Sequence, residues 1–246
     1  MKIENKKLDE KYKEYLQLAK NGKRFIEDQD FNVLKLNNGE ITNWLAYHSD
    51  KNGWGETKAA QDFNVLRLNN NEIVYWLVAN SYANDWAKTK AAQDFNVLSL
   101  DNGKIANLLA YDSYVNGWAK TKAAQDFKIL KLHKGKVAYW LAYHSNKNGW
   151  AKTEAAQNLE VLKLCDGKIA YWLAINSDKN EWAKTKAAQN LEVLKLCDGK
   201  VAYELARHSA KNGWGETKAA QDPKVRTLYG GEVGKKLKQK GFKNKI

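Results

Sequence analysis

Proline is almost absent from this sequence, with Pro223 the only one in 246 residues. Because proline interrupts helices, its scarcity is compatible with helices along nearly the whole chain. No apolar run approaches the roughly 18 residues that a membrane span needs. The N-terminal stretch also lacks the apolar core of a secretory signal. These absences predict a cytoplasmic protein that does not enter a membrane.

Cysteine is also scarce. Cys165 and Cys197 are the only two, too few for a disulfide framework or a zinc site. They stand at equivalent places in adjacent repeats, and neighbouring helices pack roughly 8–10 Å apart. A disulfide needs its two Cα atoms within about 7 Å. We therefore expect free thiols, and neither a metal nor a cofactor.

Catalytic motifs are missing as well. The chain has no Gly-rich phosphate loop, no H-E-x-x-H and no G-x-S-x-G. Three of its four histidines share one repeat position with asparagine and aspartate, which indicates a helix-stop role rather than catalysis. We expect a protein that is not an enzyme. The remote alternative is a HEAT-like DNA glycosylase that uses a carboxylate such as Asp85, Asp112 or Glu181.

What the sequence does contain is a repeat of 32 residues without insertions. The copies are 31–62, 63–94, 95–126, 127–158, 159–190 and 191–222, and repeat positions are numbered from 1 at Phe31, Phe63, Phe95, Phe127, Leu159 and Leu191. Segments 14–30 and 223–239, within the end regions 1–30 and 223–246, are degenerate copies. They predict a helical N-terminal cap and a C-terminal cap with a basic tail, because an ordinary repeat leaves one apolar face without a neighbour.

Each repeat is interpreted as three helices, the first about one turn long. Asp or Asn at position 32 is a good N-cap. Gly at position 9, or Asn71 in the second copy, suits a left-handed helix end. Apolar residues at positions 11 and 15, and small ones at 25 and 29, have the i, i+4 spacing of a helix face. The prediction is an all-α, right-handed α-solenoid, monomeric, with two caps.

Part of the repeat resembles a known family. The residues that match its Trp-containing helix are Trp182, Ala183, Lys184, Ala187, Ala188 and Asn190, and "LEVLKL" at 191–196 matches the short segment that follows. This resembles the leucine-rich repeat variant family, an all-helical relative of HEAT repeats, over residues 31–222. The chain lacks the prolines that the family places before "EVL", and its 32-residue unit corresponds to two fused half-units of the family. The resemblance implies a helical solenoid.

The rival interpretation is a true leucine-rich repeat. "FNVLRLNNNEI" at 63–73 fits L-x-x-L-x-L-x-x-N-x-I, which would make "VLRL" a β-strand of an α/β solenoid. Against it, the asparagine of that motif is glycine in the five other copies. A 32-residue unit is also longer than the usual 20–29 residues.

The net charge of +13 is unevenly distributed. Residues 223–246 hold eight basic side chains and one acidic, hence +7, and repeat four holds six lysines against Glu154, hence +5. Partial lysine ladders at other positions are interpreted as solvated faces. The residues that would bind a nucleic acid are Lys128, Lys131, Lys134, Lys136, Lys152, Lys235, Lys236, Lys238, Lys240, Lys243 and Lys245.

The aromatic residues fall into two sets. Tryptophan occupies position 24 in every copy, which predicts that it fills the gap between repeats. Position 14 is tryptophan in four copies, but Glu204 takes it in the last, and a buried tryptophan site would not accept a carboxylate cheaply. We therefore expect position 14 to be partly exposed. With position 13 it predicts a surface ladder of Trp44, Tyr75, Trp76, Tyr139, Trp140, Tyr171, Trp172 and Tyr203.

Exposed Trp and Tyr are typical anchors of protein interfaces. The function predicted from the sequence is a non-enzymatic binding platform, such as an adaptor, scaffold or occluding inhibitor, that holds a protein partner on this ladder. The alternative is a solenoid that binds nucleic acid through the lysines of repeat four and the basic tail.

Overall fold

The computed structural model of the protein describes residues 2–242, with side chains from residue 10 onward. Within that range all regular secondary structure is helical and no β-strand occurs. The fold class is therefore all-α, as the repeat predicted. The leucine-rich alternative is not supported, because Phe63–Leu66 is one turn of α-helix rather than a strand. The chain divides into two compact units at the boundary between Trp118 and Ala119.

A one-turn helix opens each repeat and the C-terminal cap. These helices are Phe31–Leu34, Phe63–Leu66, Phe95–Leu98, Phe127–Leu130, Leu159–Leu162, Leu191–Leu194 and Pro223–Arg226. Each begins after an Asp or Asn side chain that accepts a backbone hydrogen bond. In the second repeat, Oδ1 of Asp62 accepts from the N–H of Asn64 at 2.8 Å. The N-cap predicted at position 32 is thus confirmed.

A left-handed turn follows at positions 7–9. In the fifth repeat, Cys165, Asp166 and Gly167 have φ angles of 52°, 57° and 80°. A residue with a Cβ atom pays roughly 1–2 kcal/mol for this conformation. The left-handed residue predicted at position 9 is confirmed, and the turn extends two residues further towards the N-terminus than expected. It redirects the chain into a long helix.

Left-handed glycines occur at positions 9 and 23 of the repeat, and their surroundings differ. A Cβ atom on Gly167, at position 9, would lie 2.9 Å from Cβ of Leu196, whereas one on Gly149, at position 23, would meet nothing within 4 Å. Repeats two and five accordingly carry Asp85 and Glu181 at position 23.

We predict that Gly149→Ala lowers the free energy of unfolding by about 1 kcal/mol, for the φ angle alone. Gly167→Ala should cost about 1–3 kcal/mol more, because the added methyl group overpacks the contact with Leu196. Urea unfolding of the full chain measures both, and equal losses for the two variants would contradict the role given to the leucine contact.

The long helices form the centre of each unit. They are α1 (Lys2–Lys20), α2 (Glu40–Tyr47), α3 (Glu72–Ala79), α4 (Leu100–Tyr111, including left-handed residues at its start), α5 (Lys136–Tyr143), α6 (Lys168–Ile175), α7 (Lys200–Arg207) and α8 (Glu232–Gln239). In the first unit α1 packs on α2, α2 on α3 and α3 on α4; in the second, α5 packs on α6, α6 on α7 and α7 on α8. Serial packing of this kind is that of an α-solenoid. Positions 11 and 15 are buried, as Ile169 and Leu173 show.

The third segment of the repeat is not the helix that its i, i+4 pattern predicted. In five repeats a short helix comes first: Ser49–Asn52, Ser113–Asn116, Ser145–Asn148, Ser177–Asn180 and Ser209–Asn212. In the first five repeats two 3₁₀ turns follow instead of one helix, for example Trp150–Lys152 and Ala155–Gln157, and in the sixth the second of them is the short α-helix Lys218–Gln221. Thr153 separates the two turns of the fourth repeat in an extended conformation. Its hydroxyl donates to the carbonyl of Trp150 at 2.8 Å and accepts from the N–H of Ala156 at 3.4 Å, and these bonds replace helical ones.

Tryptophan at position 24 joins consecutive repeats. It is fully buried in all six copies, so the predicted packing role is confirmed. Its indole Nε1 also donates to the carbonyl of the position-30 alanine in the preceding repeat, as in Trp86 to Ala60 and Trp182 to Ala156, both at 2.9 Å. One side chain thereby fills the gap and fixes the register of two repeats.

The caps use the same position-30 contact with different groups. At the N-terminal end, Nε1 of Trp54 donates to the carbonyl of Asp28 at 2.9 Å. At the C-terminal end there is no position-24 tryptophan within the described residues of the cap, and Nε of Arg226 donates to the carbonyl of Ala220 at 2.9 Å. The N-terminal cap therefore supplies the acceptor for the Trp54 indole N–H, and the C-terminal cap supplies a donor for the carbonyl that the tryptophan of a further repeat would have served.

Buried asparagines at position 22, which were not predicted from the sequence, form hydrogen bonds across the same junctions between repeats. In the fifth repeat, Nδ2 of Asn180 donates to the carbonyl of Leu173 at 3.0 Å and to Oγ of Ser145 in the preceding repeat at 2.9 Å. Its Oδ1 accepts from the backbone N–H of Trp182 at 2.9 Å. The same three bonds recur in the second, third and sixth repeats.

Candidate functional site

The long helices carry aromatic side chains on the side opposite their buried face. Ring contacts connect these side chains within each unit. In the second unit, the ring centroids of Tyr143 and Trp172 lie 4.6 Å apart at 74°, and those of Trp140 and Tyr143 lie 5.6 Å apart at 82°. In the first unit, Tyr47 and Trp76 lie 4.7 Å apart at 80°. These edge-to-face contacts are the favoured geometry of aromatic pairs.

The predicted ladder positions are all partly exposed. All eight predicted side chains are half-buried, namely those of Trp44, Tyr75, Trp76, Tyr139, Trp140, Tyr171, Trp172 and Tyr203. The structure brings Trp44 and Trp76 together through Tyr47 in the first unit, and Tyr139, Trp140 and Trp172 together in the second. The partial exposure expected at position 14 is confirmed.

Position 17 belongs to the same surface and was missed. Tyr47 and Tyr143 are 42% and 39% exposed, and each bridges the position-14 tryptophan of its own repeat to that of the next. The signal was available, since positions 13 and 14 lie four and three residues before 17 and must share a helix face with it. We define the aromatic ladder as the aromatic residues of positions 13, 14 and 17.

The reason given for exposure at position 14 was partly wrong. Glu204, which takes that position in the sixth repeat, is only 6% exposed. Its carboxylate lies 3.2 Å from Nη1 of Arg207 and 3.8 Å from Nε2 of His208. Arg207 stands at position 17, where repeats one, three and four carry tyrosine, so the sixth repeat has an ion pair where repeats one and four have a Trp–Tyr pair.

A cleft of about 390 Å³ opens beside the ladder in the second unit. Its lining residues are Tyr139, Lys168, Tyr171, Trp172, Cys197, Asp198 and Lys200. The lining thus combines two ammonium groups, one carboxylate and three aromatic rings. Burial raises the pKa of the Tyr171 hydroxyl, with Glu204 the next cause, so this phenol stays protonated at neutral pH and can donate a hydrogen bond.

The lysines of repeat four are exposed, but some of their ammonium groups contact other side chains. Nζ of Lys131 lies 5.1 Å from the ring centroid of Phe127, and Nζ of Lys152 lies 3.2 Å from a carboxylate oxygen of Glu181. The same stacking recurs at position 5 in the first two repeats. The remaining predicted lysines of this repeat, Lys128, Lys134 and Lys136, are exposed.

The tail lysines lie on or just beyond α8. Nζ of Lys235 lies 2.7 Å from a carboxylate oxygen of Glu232, and Nζ of Lys236 donates to Gln239 at 3.0 Å. Lys238 and Lys240 are exposed. The predicted residues Lys243 and Lys245 lie outside the described residues.

The carboxylates considered for glycosylase chemistry have local explanations. Asp85 and Glu181 occupy the left-handed position 23, and each pairs with a lysine, Asp85 with Lys88 at 2.6 Å and Glu181 with Lys152. Asp112 is half-buried, and burial raises the pKa of its carboxyl group. Within residues 2–242, no cluster of three or more His, Cys, Asp or Glu side chains could hold a metal ion.

Both cysteines are free thiols, as predicted. Each donates to a carbonyl of the preceding repeat, Cys165 to Lys134 at 3.5 Å and Cys197 to Asp166 at 3.4 Å. Burial raises the pKa of both thiols, which disfavours the nucleophilic thiolate.

Comparison with models of protein families, with curated proteins and with solved structures finds no match to this chain. None of the helices described in residues 2–242 combines the length and the apolar character that crossing a membrane requires.

Proposed function

We propose that this protein is a non-enzymatic binding platform whose aromatic ladder holds a polypeptide partner. The observation that carries the proposal is the half-exposed pair Trp140 and Trp172, connected edge-to-face through Tyr143. Such rings stand on regular helices, and their contacts restrict their rotation before a partner arrives. Rigid aromatic anchors lose little entropy on binding, and truncating one typically costs 2 kcal/mol or more of binding energy.

Several features favour this proposal over an enzyme or a structural array. The repeat already has buried tryptophans at position 24 for packing, so the second set at position 14 is not needed to close the core. The ladder continues from helix to helix within a unit, which provides a surface that an extended or helical segment can follow. Repeat arrays use surfaces of this kind for binding. An adaptor, a scaffold and an occluding inhibitor would share this mode of binding.

The test is a selection from a random dodecapeptide phage library on the full chain. The informative variant is Trp140→Leu with Trp172→Leu, since Leu108 occupies the same repeat position and shows that leucine fits there. We expect the selected peptides to lose about 30-fold or more in affinity for this variant, because about 2 kcal/mol of anchor energy disappears. Fluorescence titration of labelled peptides measures the loss.

A matched control shows whether the loss of peptide affinity is specific to the ladder. Phe127→Ala removes an exposed aromatic ring at position 1, outside the ladder, and should leave peptide affinity within about twofold. Thermal unfolding of each variant checks the fold. If peptides bind the leucine variant as tightly as the unaltered chain, or if no peptide is selected at all, the ladder is not a polypeptide-binding surface.

Nucleic-acid binding is the second candidate, supported by the exposed lysines of repeat four and of α8. It requires affinity that falls steeply with salt, by several powers of ten between about 50 and 200 mM for six or more phosphate contacts. Replacing Lys134, Lys136, Lys238 and Lys240 by glutamine should then weaken binding of single-stranded and duplex oligonucleotides. Undetectable binding at low salt would eliminate this candidate.

A further inference from the structure

Consecutive repeats meet at a corner formed by position 13 of one repeat and positions 7 and 10 of the next. In the first unit this corner is filled by a side chain of the protein itself. The hydroxyl of Tyr75 donates to the carboxylate of Asp101, and Nδ2 of Asn71 donates to Oδ1 of the same carboxylate at 3.1 Å. Nζ of Lys104 lies 4.8 Å from the ring centroid of Tyr75. A phenol and an amide thus hold one carboxylate, and an ammonium group lies over the ring of that phenol.

The corner at the C-terminal cap is occupied as well, in a different way. There the ring of Tyr203, at position 13, packs on Tyr229, at position 7, with centroids 5.2 Å apart. Nζ of Lys236 lies 5.9 Å from the centroid of Tyr203. An aromatic ring fills the space that a carboxylate takes in the first unit.

The corner between repeats five and six keeps the same phenol and ammonium but has no filler, and Gly167 stands where the filled corner has Asn71. The corner between repeats four and five has the same composition, with Tyr139, Cys165 and Lys168. Tyr171 and Lys200 correspond to Tyr75 and Lys104, and the shorter Cys197 replaces Asp101. The thiol of Cys197 donates to the backbone carbonyl of Asp166, and none of the side chains described in residues 10–242 forms a hydrogen bond with the Tyr171 hydroxyl. The cleft of about 390 Å³ lies at this corner.

We infer that this cleft binds an acidic side chain of the partner polypeptide, with its carboxylate where Asp101 sits in the equivalent corner. The inference rests on the proposed function, because the partner is the segment held on the ladder. Trp172 belongs both to the ladder and to the cleft wall, so one segment can reach both.

The charges around the cleft favour an anion. Lys168 and Lys200 line it against Asp198, while Asp166, outside the lining, also acts on the Cys197 thiol, so the excess positive charge belongs to the lining side chains alone. The lining therefore carries one excess positive charge, which a carboxylate neutralises. A carboxylate held by an ammonium and a phenol forms charge-assisted hydrogen bonds, which are about twice as strong as neutral ones.

The sharpest variant is Cys197→Asp, which copies the occupied corner into the cleft. Aspartate suits the left-handed backbone at position 7, where Asp101 has a φ of 48° and Cys197 one of 52°. We expect the fold to survive and acidic peptides to lose about tenfold or more in affinity, since the new carboxylate takes the hydrogen bonds of the ligand. Cys197→Ser is the matched control of similar size without charge, and its loss of affinity should be several times smaller than that of Cys197→Asp, because serine brings no carboxylate.

The selection on the random dodecapeptide library provides the readout. Peptides selected on the unaltered chain should be enriched in Asp and Glu, and replacing those residues by Asn and Gln should weaken binding to the unaltered chain but not to the Cys197→Asp variant. Selected peptides without acidic enrichment, or acidic peptides that bind the Asp variant equally well, overturn the inference and leave the ladder proposal intact. Failure to select any peptide overturns the ladder proposal itself. If Cys197→Asp instead abolishes oligonucleotide binding, the cleft is a phosphate site and the inferred partner is wrong.

Discussion

Replacing Trp150 by alanine is expected to lower the free energy of unfolding by about 3–5 kcal/mol, the range for removing a large buried aromatic side chain. Trp150 is fully buried at position 24 of the fourth repeat, and its Nε1 donates to the carbonyl of Ala124 at 2.8 Å. The variant leaves both a cavity between repeats and a buried carbonyl without a donor. Because each repeat is stabilised mainly by its neighbours, weakening one junction weakens the array locally.

Two further variants separate these contributions. Trp150→Phe restores most of the apolar volume but not the indole N–H, so it should cost about 1–3 kcal/mol for the orphaned carbonyl and the smaller ring. Trp140→Leu is the control with the same original residue type at a half-exposed position, and it should cost less than either. Urea unfolding measures the total, and hydrogen exchange of residues 119–158 localises it. Equal stability of Trp150→Ala and Trp140→Leu would show that position 24 is not the main junction.

The features that could be predicted from the sequence depend on the local chemistry of one residue type. Asp or Asn at position 32 caps a helix in each repeat because its side chain reaches the next N–H groups. Glycine at position 9 marks a left-handed backbone because other residues adopt it at a cost. Tryptophan at an invariant repeat position indicates packing between repeats, since each copy faces the same neighbour. The structure confirms all three.

The features that could not be predicted depend on competition between local and non-local hydrogen bonds. The small residues at positions 25 and 29 have helical spacing, but the hydroxyl of Thr153 bonds the backbone on both sides and ends the turn. Cys165 and Cys197 gave no sign of a left-handed backbone, because position 7 varies in residue type. The signal there lies in the fixed spacing from the glycine at position 9.

Prediction of the candidate site was limited in the same way, because the site depends on contacts between residues that are distant in the sequence. Exposure at position 14 was deduced from Glu204, yet that carboxylate is buried with Arg207 as its partner, which only the three-dimensional structure reveals. The cleft could not be predicted from the sequence because it forms where the side chain at position 7 is too short to fill the corner. A carboxylate or a ring fills position 7 at two other corners, and a thiol leaves the space open. Cysteine occupies position 7 in repeats five and six, so comparing position 7 between repeats would identify these two corners only once their contact with position 13 is known.

Replacing Asn180 by alanine is the second change with a large expected effect. The side chain is 3% exposed and makes three hydrogen bonds, to the carbonyl of Leu173, to Oγ of Ser145 and from the N–H of Trp182. Alanine leaves three buried polar groups without that partner, and each costs about 1–3 kcal/mol when it stays unsatisfied. We expect a loss of at least about 3 kcal/mol, and chemical denaturation of the full chain measures it.

Asn180→Asp and Ser145→Ala test whether the hydrogen bonds, rather than the volume, are responsible. Aspartate keeps the acceptor for the N–H of Trp182 but presents an oxygen to the carbonyl of Leu173, so its protonated form should be favoured in the folded state. A folded-state pKa raised above the unfolded value of about 3.9 means that stability falls as pH rises through and above that value. Ser145→Ala removes one acceptor and should cost only about 1 kcal/mol, because Asn180 still bonds the carbonyl of Leu173. If Asn180→Asp is as stable at pH 7 as at pH 4, the amide is not acting as the donor that joins repeats four and five.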